Sequence, residues 1–508
     1  MLSVVHSAGL IGLDGYIVEV EADISAGIPA FDIVGLPDLS VRESKERVRS
    51  ALKNCGFEFP VKRITLNLAP ANLKKEGPLY DLPITIALLS ASGQIENIDH
   101  HLFIGELSLD GRLRPIPGVL PMVMSAAAKG IKKVFLPAGN ACEAAVVSGI
   151  EVYGANNLVE IVDHLMIRNE LSRTTVNMEE IFQKNNNYVM DFSDVKGQED
   201  VKRAVEIAVA GGHNILLIGS PGAGKSMIAQ RIPTILPDLS FEEALEVTRI
   251  HSIAGTLPQG SSLVTTRPFR HPHHTISATG LSGGGAVPRP GELSLSHNGV
   301  LFLDELPEFH RDVLEVMRQP LEDGHVTISR VAGTLTYPCN TLFAASMNPC
   351  KCGYFGDVDH ECNCTLPQVI KYRNRISGPL LDRIDIHVEV PSVKYNDLSS
   401  ETSGETSTQI RERVNRAREI QRNRYKDLEL FSNSSLSPSS IKKYCKLNEE
   451  SNRLLKVAFE NMGLSARAHS RILKVARTIA DLDESTNILT KHIAEAIQYR
   501  SLDRSISL

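Results

Sequence analysis

Residues 14–36 alternate apolar and polar positions, with Tyr16, Val18 and Val20 set against Glu19 and Glu21, the period-two pattern of half-buried strands. The period then lengthens. Val41, Val48, Leu52 and Cys55 fall near helical spacing, and Gly56 supplies the stop. Further strand-like runs occupy Arg63–Leu68 and Lys133–Leu136, and Asp110-Gly111 is a hairpin turn signal between Leu107 and Leu113. This pattern predicts a mixed α+β domain over residues 1–170. The polar residues 171–190, with Asn185-Asn186-Asn187, read as a linker.

From Asp191 the order changes to helix, short apolar run (Ile215–Ile218), glycine-rich turn and helix, the entry to a parallel α/β sheet. Two more apolar runs, Val300–Leu303 and Thr341–Ser346, continue that sheet, which is expected over 191–395. A linker and basic helix over 396–430 follow: the polar stretch Ser399–Ser407, then Arg411, Arg413, Arg416, Arg418, Arg422 and Arg424. Such a run is usually a solvated face, with DNA contact a secondary reading. Residues 431–508 are helical in pattern. No internal repeat is evident.

Composition changes the picture little. A chain of 508 residues needs two or three cores, and 42% hydrophobic with 22% charged residues is ordinary for a soluble protein. Its longest apolar stretches, such as Ile84–Leu89, fall far short of the roughly 20 residues of a membrane span, so no membrane partner is expected. The first residues have neither a basic n-region nor a sustained apolar h-region, and a cytoplasmic location is the expectation. A formal net charge of -6 provides no global basic field, so nucleic-acid binding would rest on local patches or a ring lumen.

The segment Gly219-Ser220-Pro221-Gly222-Ala223-Gly224-Lys225-Ser226 fits G-x-x-x-x-G-K-[ST] directly after an apolar strand and before a helix. Glycines there let backbone N–H groups close around phosphates, Lys225 neutralises β/γ charge, and Ser226 can hold magnesium. The run Val300–Leu303 ends in Asp304-Glu305, carboxylates at the C-terminal edge of the sheet. Asp304 is assigned to magnesium and Glu305 to polarising the attacking water. Asn348, after the third strand, is placed to orient that water or touch the γ-phosphate. Arg383 in GPLLDRIDI and Arg467 at the start of ARAHSRILKVARTIADL complete the catalytic candidates, because an arginine supplied in trans stabilises charge in phosphoryl transfer. The alternative for both is a surface ion pair.

Four of the eight cysteines crowd into Cys350-x-Cys352 and Cys362-x-Cys364, while Cys55, Cys142, Cys339 and Cys445 are scattered, which suits a metal site in a reducing compartment. Four thiolates suit structural Zn2+. The one-residue gaps depart from the usual spacing, leaving an iron–sulfur centre or reduced thiols as alternatives. His271, His273 and His274 lack nearby Cys or carboxylate ligands in sequence and are read as packing or hydrogen-bonding groups.

Residues 191–482 resemble an AAA+ module, with VKGQ at 195–198 similar to the adenine-side box of the magnesium-chelatase-like branch; this assigns Gly197 and Gln198 to nucleotide binding. RPFRHPHHTIS at 267–277, PRPGELSLSHNGVLFLDELPEF at 288–309 and SRILKVARTIADL at 470–482 resemble the ComM (YifB) family, and the likeness spans nearly the whole chain. The resemblance implies an AAA+ P-loop sheet with a helical lid and a sensor arginine, preceded by a Lon-protease-like (ribosomal S5-like) domain. It also implies ATP and Mg2+ as cofactors, a homo-hexamer, and a DNA helicase promoting branch migration in recombination during natural transformation, with recombination proteins as possible partners. In such relatives an insertion and a β-hairpin face the pore; here these are residues 255–299 and His325–Pro338, making Arg267, Arg270 and Arg330 candidates for gripping DNA phosphates. Lon-type proteolysis needs a serine and a lysine, but Leu79 stands after Gly77-Pro78 and Gly118–Pro121 contains no lysine, so acyl transfer is not expected. The competing functions are a chelatase-like motor for metal insertion and an ATP-gated scaffold that does not move DNA.

Overall fold

A computed structural model describes residues 2–500 except 97, 185–187, 286–287, 331–332, 358, 394–403, 429, 431 and 463. The chain divides into two compact units: Met1–Lys184 with Phe241–Thr265, and Asn185–Ser240 with Thr266–Leu508. Asn185-Asn186-Asn187 and Ser399 to Ser403, read as linker, lie outside the described residues, while Thr406 caps the helix Ser407–Arg424.

In the first unit the alternating segments become β1 (Leu2–Ile11), β2 (Asp14–Ser25), β3 (Ala30–Val34) and β4 (Arg63–Ala69). These continue into β5 (His101–Phe103), β8 (Lys133–Pro137) and β9 (Glu151–Ala155), giving a mixed sheet of order β3-β4-β2-β1-β5-β8-β9. The short strands β6 (Glu106–Leu107) and β7 (Leu113–Arg114) form the hairpin expected around Asp110-Gly111, with Leu107 opposite Leu113. Side chains alternate between two cores, as the strand period requires: Phe103 joins the one built on helices Leu39–Asn54 and Asp81–Ala91, and Leu102 the one built on Val119–Ala128.

Residues 241–265, expected inside the ATPase core, belong to this first unit. The helix Phe241–Ala254 buries Ala244, Val247 and Ile250. Its polar groups are committed there as well. Ser252 donates to the buried carboxylate of Glu143, the Ser252 carbonyl accepts from Gly118 N at 3.0 Å, and Arg249 Nη2 reaches Asp14 Oδ1 and the Leu13 carbonyl, each at 2.9 Å. Unpaired, the buried Ser252 and Glu143 side chains would each cost about 1–3 kcal/mol, which fixes the segment's place.

The second unit holds β10 (Ile215–Ile218), β11 (Phe269–Arg270), β14 (Val300–Leu303), β17 (Leu342–Met347) and β18 (Ile386–Glu389), all parallel, in the order β11-β14-β17-β10-β18. Strands β10, β14 and β17 are buried at every position, which is why they read as unbroken apolar runs: both faces of the sheet are covered. The core passes from the sheet into the C-terminal helices through Val414, Ile472, Ile479 and Ile493.

The minor strands β12 (Gly283–Gly284) and β13 (Arg289–Pro290) pair with each other, as do β15 (His325–Arg330) and β16 (Gly333–Pro338). The second pair is the expected hairpin; Val331 and Ala332 at its turn lie outside the described residues. One hairpin face buries Val326, Ile328 and Tyr337, and the other carries exposed Thr327, Ser329, Thr334 and Thr336.

The basic helix departs from its sequence reading. Arg411 donates to the Thr234 carbonyl at 2.9 Å, Arg418 to the Val209 carbonyl at 2.9 Å, Arg413 reaches Glu206 and Glu405, and Arg424 grips Asp481. A helix wedged between the sheet domain and the lid uses these four guanidiniums as internal donors, while Arg416 and Arg422 stay exposed, as a solvated face would have them. Among the described residues no helix is long and apolar enough to cross a membrane.

Candidate active site

Strand β10 delivers the glycine loop to the C-terminal edge of the sheet. Glycine is required at both ends of that loop: a Cβ on Gly219 would lie 2.4 Å from the Val390 carbonyl oxygen, and Gly224 caps the next helix at φ +86°. The helix Lys225–Ile235 follows at once, so its first unpaired N–H groups face the loop. Lys225 Nζ donates to the carbonyls of Gly219 at 2.7 Å and Ser220 at 2.9 Å, and to Asn348 Oδ1 at 3.1 Å. Burial pushes the Lys225 ammonium below its usual range, opposed by the negative charge of Asp304 and Glu305. A triphosphate in this position would oppose it further.

The parallel register sets β14 beside β17, and the two strand ends meet the loop together. Ser226 Oγ donates to Asp304 Oδ2 at 2.6 Å, so a hydroxyl and a carboxylate oxygen share the span of one hard cation. That donor set fits Mg2+. Glu305 adopts φ +53°, a left-handed backbone that only a well-determined surrounding holds in a non-glycine residue. Gln198, at φ +57°, donates from Nε2 to the Ala223 carbonyl at 3.0 Å and the Pro391 carbonyl at 2.6 Å, tying Gly197-Gln198 to the glycine loop. Its Oε1 is buried without a hydrogen-bond partner among the described residues.

Asn348 opens the cysteine segment. The Sγ atoms of Cys350, Cys352 and Cys362 lie 3.2, 3.5 and 3.7 Å apart, and with Cys364 all four fall within 4.8 Å of one another. A tetrahedral ion with bonds of about 2.3 Å to sulfur would space its ligands about 3.8 Å apart, so the four thiols fit Zn2+. None of the four is in a disulfide.

Residues 191–398 match the family described as magnesium chelatase, subunit ChlI, residues 20–140 match subunit ChlI of Mg-chelatase, and residues 404–500 match its C-terminal region. The chain is 44% identical to YifB of Escherichia coli over 99% of its own length and 98% of that protein. It is 42% identical to the competence protein ComM of Haemophilus influenzae over the same shares. The chain belongs to the YifB/ComM family. A stretch of 172 residues, 30% of the chain and 31% of the relative, is 26% identical to Lon protease 2 of Bacillus subtilis. As a YifB/ComM member it carries an AAA+ ATPase module of the magnesium-chelatase type behind a Lon-like region.

Two arginines singled out in the sequence sit differently in this family member than expected. Arg267 and Arg270, expected on a pore loop, are built into the sheet domain. Arg267 donates to the Asn298 carbonyl at 2.6 Å and the Asp238 carbonyl at 3.3 Å, and Arg270, on β11, makes two bonds to Glu292 at 2.6 and 2.7 Å. Sequence shows an apparently irregular glycine- and proline-rich segment here; only strand pairing with β14 reveals the edge of the sheet. Arg330 ends β15, and its side chain lies outside the described residues. Within one chain Arg383 is held by the carbonyls of Arg318 and Pro379, both at 2.7 Å, and by the Glu322 carboxylate. Arg467 is exposed and pairs with Asp382 at 3.3 Å.

Two groups at the site escaped the sequence reading, and a third, His274, was read there only as a packing or hydrogen-bonding group. Ser346 Oγ, fully buried on β17, donates to Asp304 Oδ1 and accepts from Glu305 N at 3.2 Å. Tyr372, its hydroxyl pushed up to about 12 by burial, hydrogen-bonds the Asn348 backbone. His274, leaving the end of β11, brings Nδ1 to 3.9 Å from Glu305 Oε2, while His271 packs its ring 4.9 Å from Phe302. The last was signalled by proximity of the His-Pro-His-His run to a strand; the first two carry no local signal.

Proposed function

We propose that this chain is an ATP-driven, hexameric DNA motor that promotes branch migration of recombination intermediates during natural transformation. The observation that carries the reading is the position of the β15–β16 hairpin. It is inserted between the strand bearing Asp304-Glu305 and the strand leading to Asn348, so nucleotide-dependent movement at either strand end is transmitted to it. The full-length likeness to a competence protein supports DNA as the substrate class.

In this reading Lys225 neutralises the β/γ phosphates and Gly219–Gly224 cradle them with backbone N–H groups. Gln198 and Gly197 line the base side. Ser226 and Asp304 would hold magnesium, which would supply positive charge against the phosphates. Glu305 aligns the attacking water, Asn348 contacts the γ-phosphate, and Arg467 closes the lid. Arg383 of the adjoining protomer stabilises the transition state. Because Glu322 holds that guanidinium within the chain, ring assembly must exchange one carboxylate partner for the nucleotide. Arg330 at the hairpin end grips DNA phosphates, and the four cysteines hold structural zinc. The location is the cytoplasm, where branched DNA and recombination proteins are the partners.

Purified Glu305→Gln protein should bind ATP as tightly as the parent yet fail to move three- and four-stranded junctions. Retained branch migration by that variant would sink the mechanism. DNA-indifferent ATP turnover by the parent would favour a scaffold instead.

A further inference from the structure

The segment from Asn348 to Asp357 touches the glycine loop three times. Asn348 Oδ1 accepts from Lys225 Nζ at 3.1 Å. Gly353 packs so closely on Pro221 that a Cβ there would meet the proline Cδ at 2.6 Å, and at φ +93° the residue favours glycine for its backbone as well. Asp357 hydrogen-bonds the Ser220 side chain, which helps hold its carboxyl below the usual range behind the larger effect of the Asp359 N–H. Asp357 also accepts from the backbone N–H groups of Asp359 at 2.9 Å and His360 at 3.0 Å, so the carboxylate that reaches the glycine loop is itself fixed by this turn.

The same segment faces a cavity of about 480 Å³, in the range of small-molecule sites, whose other walls include Gln198, Gly219, Ser220 and Val390. Phe355 lines it, with the Arg373 guanidinium 5.6 Å from the ring centroid. Yet between Cys350 and Thr365 the described residues contain no helix or strand. A stretch this long with no ladder to hold it keeps one shape only if something else closes it. The candidate staple is the cysteine cluster, which joins Cys350 and Cys352 at one end to Cys362 and Cys364 at the other.

We propose that the Cys350–Cys364 segment is a metal-stapled wall of the nucleotide pocket, so that zinc bound by its four thiolates sets the affinity for ATP. Zinc here is a control on nucleotide binding as well as a structural ion. The proposal rests on reading the pocket as the ATP site, and the experiment separates the two.

Full-length protein is assayed for zinc content, then stripped with a zinc-selective chelator and desalted into magnesium buffer. Affinity for a fluorescent, non-hydrolysable ATP analogue is measured for loaded, stripped and zinc-restored protein. One zinc per chain is expected, with binding about tenfold weaker or more on stripping and recovered on restoration. Cobalt substituted for zinc should give the visible bands of a tetrahedral thiolate site. Phe355→Ala and Asp357→Asn keep all four thiolates, so they should retain zinc and cobalt bands while weakening the analogue severalfold. Unchanged analogue affinity in the stripped protein, or absence of any zinc or cobalt uptake, overturns the proposal. If loaded protein with an intact zinc site binds no analogue, and Lys225→Ala behaves identically, it is the ATP reading that fails.

Discussion

Ser346→Ala removes one hydroxyl from the end of β17 and opens almost no cavity, because the side chain is fully buried and the two residues share a Cβ. Asp304 Oδ1 then loses one of its two donors, keeping Glu305 N at 3.0 Å. A hydrogen bond to an ionised acceptor contributes about 1.5–3 kcal/mol, and if all of it orients the carboxylate in the transition state the rate falls between about tenfold and about 150-fold. Asp304 is half-buried, so water replaces part of the lost bond and the lower end is expected. Steady-state ATP turnover of the variant should drop about tenfold, with a raised magnesium requirement, because Ser226 and Asp304 would no longer be held in one orientation. The melting temperature should barely move. Wild-type turnover and magnesium dependence would refute the role given to Ser346; so would a loss of activity matched by loss of fold.

Asp481, fully buried, takes bonds from Arg424, from Arg477 at 3.1 Å and from Asn433 Nδ2 at 2.9 Å; Asp481→Ala strands two guanidiniums and should destabilise the lid by about 3–5 kcal/mol, read by denaturant unfolding. Glu143→Ala removes the acceptor of Leu120 N at 2.9 Å and of the Ser252 hydroxyl, so hydrogen exchange across 241–254 should accelerate while the P-loop helix stays protected; equal protection in both proteins would count against the docking. Burial holds the His101 imidazole down to about 4, with Lys133 adding to the effect. A depressed histidine is neutral when folded, so its stability is fully present above the unfolded value of about 6.5 and lost as pH falls from there toward about 4. His101→Phe, against Phe103 and Phe135, should shrink the fall in melting temperature between neutral and mildly acid pH, and an unchanged fall would show that His101 is not the group responsible.

Much of the candidate nucleotide site was readable along the chain because its parts are local. The glycine loop needs left-handed or crowded backbone at Gly219, Gly222 and Gly224, the strands are short buried runs, and Asp304-Glu305 and Asn348 follow directly from those runs. The four cysteines were legible as two pairs, although only folding brings Cys350 and Cys362 within 3.7 Å. The competing pictures of Arg267, Arg270 and the basic helix were settled differently, since their partners are remote. Arg411 bonds Thr234, and Arg424 bonds Asp481. Periodicity along a helix reports that a face is charged; it cannot report whether that face meets water or a neighbouring carbonyl.

Sequence by itself determined the two kinds of fold, the order of motifs and the chemistry of the phosphate loop, because spacing of two or 3.6 residues and the demands of glycine act within a few residues. Tertiary structure alone decided that residues 241–265 leave the ATPase sequence to pack in the first unit, that Ser346 supports Asp304, and that the cysteine segment lies on the glycine loop. Each of those depends on which buried donor finds which acceptor across long loops. That choice is made by packing of the whole core, and no local pattern records it.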